Sequence, residues 1–285
     1  MTSAPTTTDR ILAPHGFTAL VRRPAPALAE HCELTFLARA AMSFARLERQ
    51  HVAYRDALAA AGADVVVLDA IDTLPDSVFV EDAAVILDDI VVLTRPGAVS
   101  RRPEIDRIES AVTHQRANVA RIRAPGTLEG GDVLRIGRRL FVGLTTRTNR
   151  EGIAQLAAIV QPYGYKAIQV PVAGTLHLKT ACTALDAHTL LLNPAWLVGG
   201  ADVAAFAGFE TIAVDANEPF AANVLPVGAS LVANAAFPRT LERVSAHAQR
   251  AGLRVVPVDI SEFGKAEAGL TCMSLVFATR SDGRK

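Results

Sequence analysis

Pairs of short apolar runs recur along the chain, each pair interrupted by polar or glycine residues. Such pairs predict β-hairpins, because a strand is a short apolar run bounded by turn residues. The pairs lie at residues 77–94, 129–144, 177–193, 223–234 and 269–279. One landmark in each pair gives the spacing, which is 50, 47, 45 and 48 residues between Asp82, Asp132, Lys179, Val224 and Cys272. The pattern therefore predicts five similar units along the chain.

Helix-like stretches separate the hairpins and complete each unit. They lie at residues 43–61, 103–118, 149–162, about 197–207 and 238–251. Strand-like runs follow several of them, such as "ADVVVLDA" after Gly62 and "GLRVVPVD" at 252–259. A regular mixture of strand and helix indicates a repeat architecture. We expect five units around one axis, with the run at 18–24 completing the last unit.

The alternative is an ordinary three-layer α/β fold in which the regular spacing is accidental. The polar residues inside the apolar runs favour the closed ring, because they fall near the same place in several units. Three of them are Asp82, Asp132 and Cys272. In a ring of five units these positions meet in one central pocket, although they are far apart in sequence.

Composition narrows the class of protein. Half of the 285 residues are hydrophobic, and 29 basic residues balance 29 acidic ones, so no global attraction to nucleic acid or membrane is expected. Three scattered cysteines are too few for a disulfide framework or a zinc site. Without a linker, signal core or membrane-length apolar run, the sequence predicts one cytoplasmic domain over residues 1–285, with 1–17 loosely held.

Acidic residues inside the apolar runs are the first candidates for chemistry. Glu81 and Asp82 lie within a strong strand signal, so the two side chains are expected to point to opposite faces. A carboxylate among apolar residues is costly unless a cation or hydrogen bonds meet it, although a bulge or strand end would leave it solvated. Asp76 is ambiguous because "PDS" is also an ordinary turn. "LEGGDV" adds Glu129 and Asp132 around two glycines, which either admit a ligand or form a hairpin bulge.

The remaining candidates each have an ordinary structural explanation. Cys272 could be a small apolar filler, and His177, between two leucines, could be a satisfied core residue. Lys179 lies on the same face as His177 if that run is extended. Arginines follow the hairpins at 77–94 and 129–144, in the segments 95–102 and 145–149, where a solvated surface is the default interpretation. Loops at strand ends often bind ligands, however, and arginine suits carboxylates.

Six motifs together resemble a known family: "PDSVFVED", "TRPGAVSRR", "EGGDVL", "FVGLTTRTN", "LHLKT" and "GLTCMS". In this order and at these distances they are similar to the dimethylarginine dimethylaminohydrolases (dimethylargininases) of the guanidino-group-modifying, or pentein, superfamily. The resemblance covers residues 18–277. It implies a five-bladed, pseudo-symmetric α/β propeller of ββαβ-like repeats around a central active-site pocket.

The resemblance also implies a covalent mechanism. Cys272 is expected to be the nucleophile and His177 the general acid/base, with Glu129 orienting the histidine. Some family members carry aspartate in place of Glu129. The products would be citrulline and a methylamine, formed from N-omega-methylated arginine through a thiouronium intermediate. The resemblance therefore places the protein in arginine metabolism and nitric oxide regulation.

A second group of residues is expected to bind the substrate. Asp82 would hold the guanidinium with Glu81 and Asp76 nearby, and Arg101 and Arg147 would hold the α-carboxylate. Phe79 would flank the substrate side chain, and Leu34 would belong to a lid. The complete set implied by the resemblance is Leu34, Asp76, Phe79, Glu81, Asp82, Arg101, Arg147 and Ala266. No metal or organic cofactor is needed, and the expected partner is a small guanidino substrate, with a homodimer left open.

Two alternatives to this function remain. The first is an arginine deiminase-like enzyme or another guanidine hydrolase or amidinotransferase. Arginine deiminases carry an aspartate in an "HLDT"-like motif where this chain has Lys179. Arginine deiminases and amidinotransferases are also longer than this chain. The second is a catalytically silent propeller that binds arginine-like ligands, although Cys272, His177 and Glu129 are all present.

Overall fold

The apolar hairpins form the inner part of a ring of sheets. The computed structural model describes residues 16–279, which form five three-stranded sheets. The strands are β1 Phe17–Arg22, β2 Ala63–Leu68, β3 Ala84–Ile86, β4 Ile90–Leu93, β5 Asn118–Arg121, β6 Val133–Ile136, β7 Arg139–Leu144, β8 Lys166–Pro171, β9 Cys182–Ala184, β10 Thr189–Leu192, β11 Glu210–Ala213, β12 Leu225–Val227, β13 Ser230–Asn234, β14 Arg254–Val258 and β15 Ser274–Ala278. The α-helices are α1 Leu28–His31, α2 Phe44–Ala60, α3 Glu104–Thr113, α4 Arg150–Val160, α5 Leu178–Ala181, α6 Pro238–Ala251 and α7 Ser261–Gly264.

Every sheet has the same topology. Its middle strand pairs antiparallel with one neighbour and parallel with the other, as β4 does with β3 and β5. The strand orders are β3-β4-β5, β6-β7-β8, β9-β10-β11, β12-β13-β14 and β15-β1-β2. A parallel pair needs a crossover connection, and a helix provides it in four of the five sheets. The prediction of a five-bladed α/β propeller of ββαβ-like repeats is confirmed.

The last sheet contains strands from distant parts of the chain. β1 lies between β15, with which it pairs antiparallel, and β2, with which it pairs parallel. The run expected at 18–24 thus completes the last unit as predicted. The segment 1–17, expected to be loosely held, mostly lies outside the described residues, but Phe17 begins β1 and is buried.

Apolar stripes on the crossover helices explain how they pack on the sheets. In α4, Ile153, Leu156 and Val160 are buried in one cluster with strand residues such as Val142. Their spacing of three and four residues places them on one helix face. Asn149 begins this helix by accepting a hydrogen bond from the Gly152 amide at 2.8 Å. No helix within residues 16–279 is long and apolar enough to cross a bilayer.

One predicted helix is wrong. Residues 197–207 form short 3-10 turns at Gly200–Asp202 and Ala204–Phe206 instead of an α-helix. Gly199 and Gly200 both have positive φ angles, of 106° and 66°. This left-handed backbone interrupts a right-handed helix, so the connection from β10 to β11 consists of separate turns.

The inner strands enclose a cavity along the central axis. Its volume is about 160 Å³, and β3, β6, β9, β12 and β15 all contribute to its lining. A short helical turn precedes each of these strands. The turns are Val80–Ala83, Gly130–Asp132, α5, Pro219–Ala222 and Thr271–Met273. These turns bring the candidate site residues together.

Candidate active site

The five short turns form a ring at one end of the cavity. Successive turns are in contact from Thr271–Met273 through Val80–Ala83, Gly130–Asp132 and α5 to Pro219–Ala222. Asn223 closes the ring, because its side-chain amide donates to Thr271 Oγ1 at 3.1 Å and its oxygen accepts from the Thr271 amide at 3.0 Å. Residues from all five repeats therefore meet within one small volume.

Strands were expected at several positions that belong to these turns. Glu81 and Asp82 lie in a 3-10 turn, and His177 is the residue before helix α5. His177 and Lys179 therefore do not share a strand face, and their side chains bind different partners, Glu129 and Glu81. The side chains of Glu81 and Asp82 also bind different partners, as expected, but the two residues belong to a helical turn. The strand prediction was wrong because three- or four-residue turns are too short to show a helical period.

A narrow pocket opens beside the ring and contains most of the predicted site residues. The residues that line it are Glu33, Asp76, Phe79, Asp82, Arg101, Arg147, Leu176, His177, Ala266, Glu267, Ala268 and Cys272. Three predicted residues lie elsewhere: Glu129 is buried behind the pocket, Glu81 faces the central cavity, and Leu34 packs against a hydrophobic cluster.

His177 and Glu129 form a buried ion pair. The distance from His177 Nε2 to Glu129 Oε2 is 2.7 Å, and Glu129 is fully buried. Burial alone would lower the pKa of His177, but the carboxylates of Asp82, Asp132 and Glu129 outweigh it and raise this pKa to about 9. Burial likewise opposes ionisation of Glu129, but its hydrogen bond to His177 and three positive neighbours lower its pKa to about 2. The imidazole is therefore positively charged at neutral pH and can donate a proton.

Backbone and carboxylate contacts fix the position of His177. Asp132 Oδ1 accepts from the amide of Leu178 at 2.9 Å, which holds the start of α5 directly after the histidine. Gly131 passes so close that an added Cβ would lie 2.6 Å from His177 Nδ1 and 2.8 Å from Asp82 Oδ1. A glycine is thus required at 131 by close packing of the site. Asp132 supports the histidine from behind and does not line the pocket.

Cys272 lies in the last of the five turns, Thr271–Met273, and lines the same pocket as His177. The Gly269 amide donates to Cys272 Sγ at 3.3 Å. Burial and then the negative charges of Glu81 and Asp82 raise the pKa of Cys272 above its ordinary value of 9.0. The ligand-free protein therefore holds a thiol, and a cation in the pocket would favour the thiolate.

Asp82 lies between the histidine and an arginine. Its Oδ1 is 3.8 Å from His177 Nε2 and accepts from the Gly131 amide at 2.9 Å. Its Oδ2 accepts from Arg101 at 2.6 Å. Arg101 is fully committed to protein groups, since Glu104 binds Nε and Nη2 at 3.0 and 2.8 Å. Arg101 consequently orients Asp82, a role that the sequence did not predict.

Arg147 is the second arginine of the pocket. Its Nη2 donates to Thr35 Oγ1 at 2.8 Å, while its Nη1 is 3.5 Å from Glu129 Oε1. The side chain is buried, yet it has weaker contacts with carboxylates than Arg101 has. It is therefore the more available of the two arginines for an incoming carboxylate.

Glu81 and Lys179 lie where the ring of turns meets the central cavity, and both line that cavity. Lys179 Nζ donates to Glu81 Oε1 at 2.5 Å, and Thr271 Oγ1 donates to Glu81 Oε2 at 2.8 Å. Burial raises the pKa of Glu81, and Lys179 opposes that effect. With both oxygens engaged, Glu81 supports the turn that carries Cys272.

The other predicted substrate-binding residues form the walls. Phe79 packs edge-on against Phe263, with ring centroids 6.5 Å apart, and Ala266 lines the same pocket. Asp76 Oδ2 accepts from the Glu33 amide at 3.0 Å. Leu34 is half-buried against the hydrophobic cluster that includes Phe79.

Three of these groups could in principle hold a metal ion. Donor atoms of Asp82, Glu129 and His177 all lie within 4.8 Å of one another. A histidine must be neutral to bind a metal, however, and His177 carries a pKa of about 9. Arg101 already neutralises Asp82 at 2.6 Å. The chemistry of this cluster favours a proton over a metal, and the expectation that no metal is needed stays a prediction.

Sequence reasoning missed three residues that support the site: Glu104, Asn223 and Glu267. Glu104 follows Arg101 by three residues, a spacing that could have suggested an ion pair. Asn223 lies at the start of the fourth hairpin, and other hairpins carry polar site residues such as Asp82 and Asp132 near the equivalent position. Glu267, in "GKAEAG", offers no comparable signal because its partners lie about 230 residues away.

Comparison with known proteins places these features among guanidine-modifying enzymes. The arginine deiminase family model matches residues 27–208. N(G),N(G)-dimethylarginine dimethylaminohydrolase of Streptomyces coelicolor is 40% identical over 257 residues, which cover 90% of this chain and 95% of that protein. The Pseudomonas aeruginosa enzyme, solved as a cysteine-to-serine mutant with citrulline, has a TM-score of 0.85 and 35% identity, covering 92% of this chain and 100% of that one. A histidine-to-glycine dimethylarginine dimethylaminohydrolase, solved as an adduct with S-methyl-L-thiocitrulline, has a TM-score of 0.83, 35% identity and the same coverage.

Proposed function

Because the chain belongs to the dimethylarginine dimethylaminohydrolase family of the pentein superfamily, we propose that its pocket hydrolyses N-omega-methylated arginine. The products are citrulline and methylamine or dimethylamine. One observation carries the proposal: Cys272 shares a narrow pocket with Asp82 and with His177, whose ring is paired with the buried Glu129. These groups supply a nucleophile, a proton donor and an anion for the guanidinium.

Binding of the substrate cation is the first step. Asp82 holds the guanidinium by charge-assisted hydrogen bonds, which fix its planar carbon near Cys272. Arg147 binds the α-carboxylate, and Asp76, Phe79 and Ala266 form the walls around the rest of the substrate. Arg101 lines the pocket, but its contacts with Asp82 and Glu104 support a role in orienting Asp82.

The substrate also activates the nucleophile. Cys272 is a thiol in the free protein because it is buried beside Glu81 and Asp82. A guanidinium bound between Asp82 and Cys272 supplies the positive charge that stabilises a thiolate. Cys272 therefore releases its proton to solvent when the cationic substrate binds, since His177 is already protonated. In the empty pocket the sulfur stays a less reactive thiol.

The covalent steps follow from the positions of the two catalytic groups. Cys272 Sγ bonds to the guanidinium carbon, and His177 gives its proton to the methylated nitrogen as the C–N bond breaks. The amine leaves, and a thiouronium group remains on Cys272. The now neutral His177 takes a proton from water, whose oxygen attacks the same carbon. The C–S bond then breaks, releasing citrulline and restoring Cys272.

An arginine deiminase-like activity is the closest alternative. Such enzymes use an aspartate of the histidine motif against the guanidinium, whereas the corresponding Lys179 here binds Glu81. A cation at that position cannot take over the role of the aspartate. This observation supports the methylated substrate over free arginine.

Turnover with purified protein tests the proposal directly. Incubation with asymmetric dimethylarginine is expected to release citrulline and dimethylamine in equal amounts. Arginine, monomethylarginine and agmatine serve as comparison substrates. Citrulline from arginine but not from the methylated substrates would indicate a deiminase, and binding without any product would indicate a silent propeller. The cytoplasmic location, the homodimer, and the absence of nucleic-acid and membrane partners stay predictions.

A further inference from the structure

Glu267 has a backbone conformation that is unusual for its residue type. Its φ angle is +60°, the one positive φ outside glycine within residues 16–279. Side chains with a Cβ rarely adopt this left-handed conformation, and such residues persist where surrounding contacts require them. Glu267 is also buried and lines the pocket. The conformation therefore directs an acidic side chain to a specific place.

That place is the segment of residues 33–37, here called the pocket loop. Glu267 Oε2 accepts from the Thr35 amide at 3.0 Å, and Oε1 accepts from the amides of Phe36 and Leu37 at 2.5 Å. Three successive N–H groups that converge on one anion form a backbone nest. The carboxylate of Glu267 thus occupies an anion site that the pocket loop creates.

The pocket loop has no regular secondary structure, and Thr35 and Phe36 are exposed. Other contacts hold its beginning: Asp76 accepts from the Glu33 amide at 3.0 Å, and Ser100 donates to Glu33 at 2.7 Å. Glu267 holds its second half, residues 35–37. Thr35 then contacts a residue that lines the pocket, because its Oγ1 accepts from Arg147 Nη2 at 2.8 Å.

We infer that Glu267 is a positioning residue that anchors the pocket loop and, through Thr35, orients Arg147 for substrates bearing an α-carboxylate. The inference rests on the proposed function of the pocket. Glu267 itself contacts the loop and not the reacting atoms. A carboxylate suits this nest because both of its oxygens accept and it carries a negative charge, whereas a glutamine would replace one accepting oxygen by an NH2 donor.

Hydrogen exchange tests the anchor without any ligand. Glu267→Gln keeps the side-chain length but loses the charge, and Glu267→Gly removes the side chain while permitting the left-handed backbone. Both variants are expected to speed amide exchange at 35–37 by about 10-fold or more, the scale of losing charge-assisted hydrogen bonds. Unchanged exchange at these amides in the glycine variant, with the fold intact by circular dichroism, would overturn the inference.

Ligand affinity tests the link to Arg147. In the Cys272→Ser background, monomethylarginine and its decarboxylated analogue N-methylagmatine can be compared without turnover. The Glu267→Gln change is expected to weaken the carboxylate-bearing ligand by roughly 10-fold more than the analogue. Thr35→Val serves as the matched control, because it should reproduce this selective loss while leaving the exchange of amides 35–37 slow.

The outcomes separate this inference from the proposed function. Equal losses for both ligands would show that Glu267 does not act through Arg147, and would overturn the inference. If the wild-type protein binds both guanidines but releases no product, the proposed hydrolysis is wrong. The difference in affinity between the two ligands still tests the role of Glu267. If neither guanidine binds, the proposed function fails and the exchange experiment alone decides the anchoring role.

Discussion

The charged pair of His177 and Glu129 can be tested by removing one charge. Glu129→Gln keeps the shape of the side chain but leaves the imidazole with a neutral acceptor at the 2.7 Å contact. The rise of the His177 pKa from 6.5 to about 9 corresponds to about 3 kcal/mol of preference for the charged ring. A charge-assisted hydrogen bond contributes about 1.5–3 kcal/mol, so the substitution should lower this pKa by roughly one to two units.

Two measurements report the protonation state of His177. In wild type, turnover should fall above pH about 9, where His177 loses its proton and cannot protonate the leaving amine. In the Glu129→Gln variant this decline should begin roughly one to two pH units lower. NMR titration of the His177 ring in the Cys272→Ser background gives the pKa itself, free of nucleophile titration. An unchanged His177 pKa in that titration would refute the argument that Glu129 holds the charge.

Rates of the single and double variants test whether the two residues act as one unit. His177→Asn should lower turnover by at least roughly 10²-fold, the usual scale for a lost general acid/base. A thiouronium adduct on Cys272 should then accumulate and be visible by intact-protein mass spectrometry. Glu129→Gln should cost less, and the double variant should be little slower than His177→Asn alone. Fully additive losses would mean that the residues work separately.

Three further predictions concern the rest of the site. Cys272→Ser should abolish turnover with the fold retained, whereas the control Cys182→Ala should stay active and lose only packing energy. Activity above a few per cent of wild type in the serine variant would show that Cys272 is not the nucleophile. Arg147→Ala should raise KM for dimethylarginine about ten- to a hundredfold while affecting agmatine far less, and equal losses would contradict the carboxylate role. The unfolding free energy should fall between pH 6.5 and about 9, because His177 stabilises the fold when protonated; thermal melts across that range should lose this slope in His177→Asn.

The sequence predicted the repeat well because each unit carries a hairpin and a crossover that are visible locally. The hydrophobic period identified α2, α3, α4 and α6, whereas the glycine pair at 199–200 ended the helix expected at 197–207. The short turns at Asp82 and Cys272, and the one directly after His177, were mistaken for strands because three or four residues are too few to show a helical repeat of apolar positions. Their residues could still be grouped, since the repeat spacing places equivalent positions at the same end of the ring.

Contacts between residues farther apart in sequence could not be predicted in the same way. Arg101 was expected to hold the substrate's α-carboxylate, and its hydrogen bond to Asp82, 19 residues away, was not predicted. Glu81 was expected beside the substrate but binds Lys179, 98 residues away. These pairings depend on how the blades pack around the axis, which no local pattern records. The chemistry of the residues was therefore easier to predict than their partners.

The sheet that joins β1 to β15 has a consequence for how the protein is made. Its paired residues Phe17 and Ala278 are 261 positions apart, so the pairing of β1 with β15 cannot form until the ribosome has released the chain as far as β15. Cys272 lies directly before β15, and its turn packs on elements that were synthesised much earlier. The other four sheets can assemble from shorter stretches of nascent chain. An incomplete chain can therefore build most of the ring, but the reactive thiol reaches its place only with the final closure.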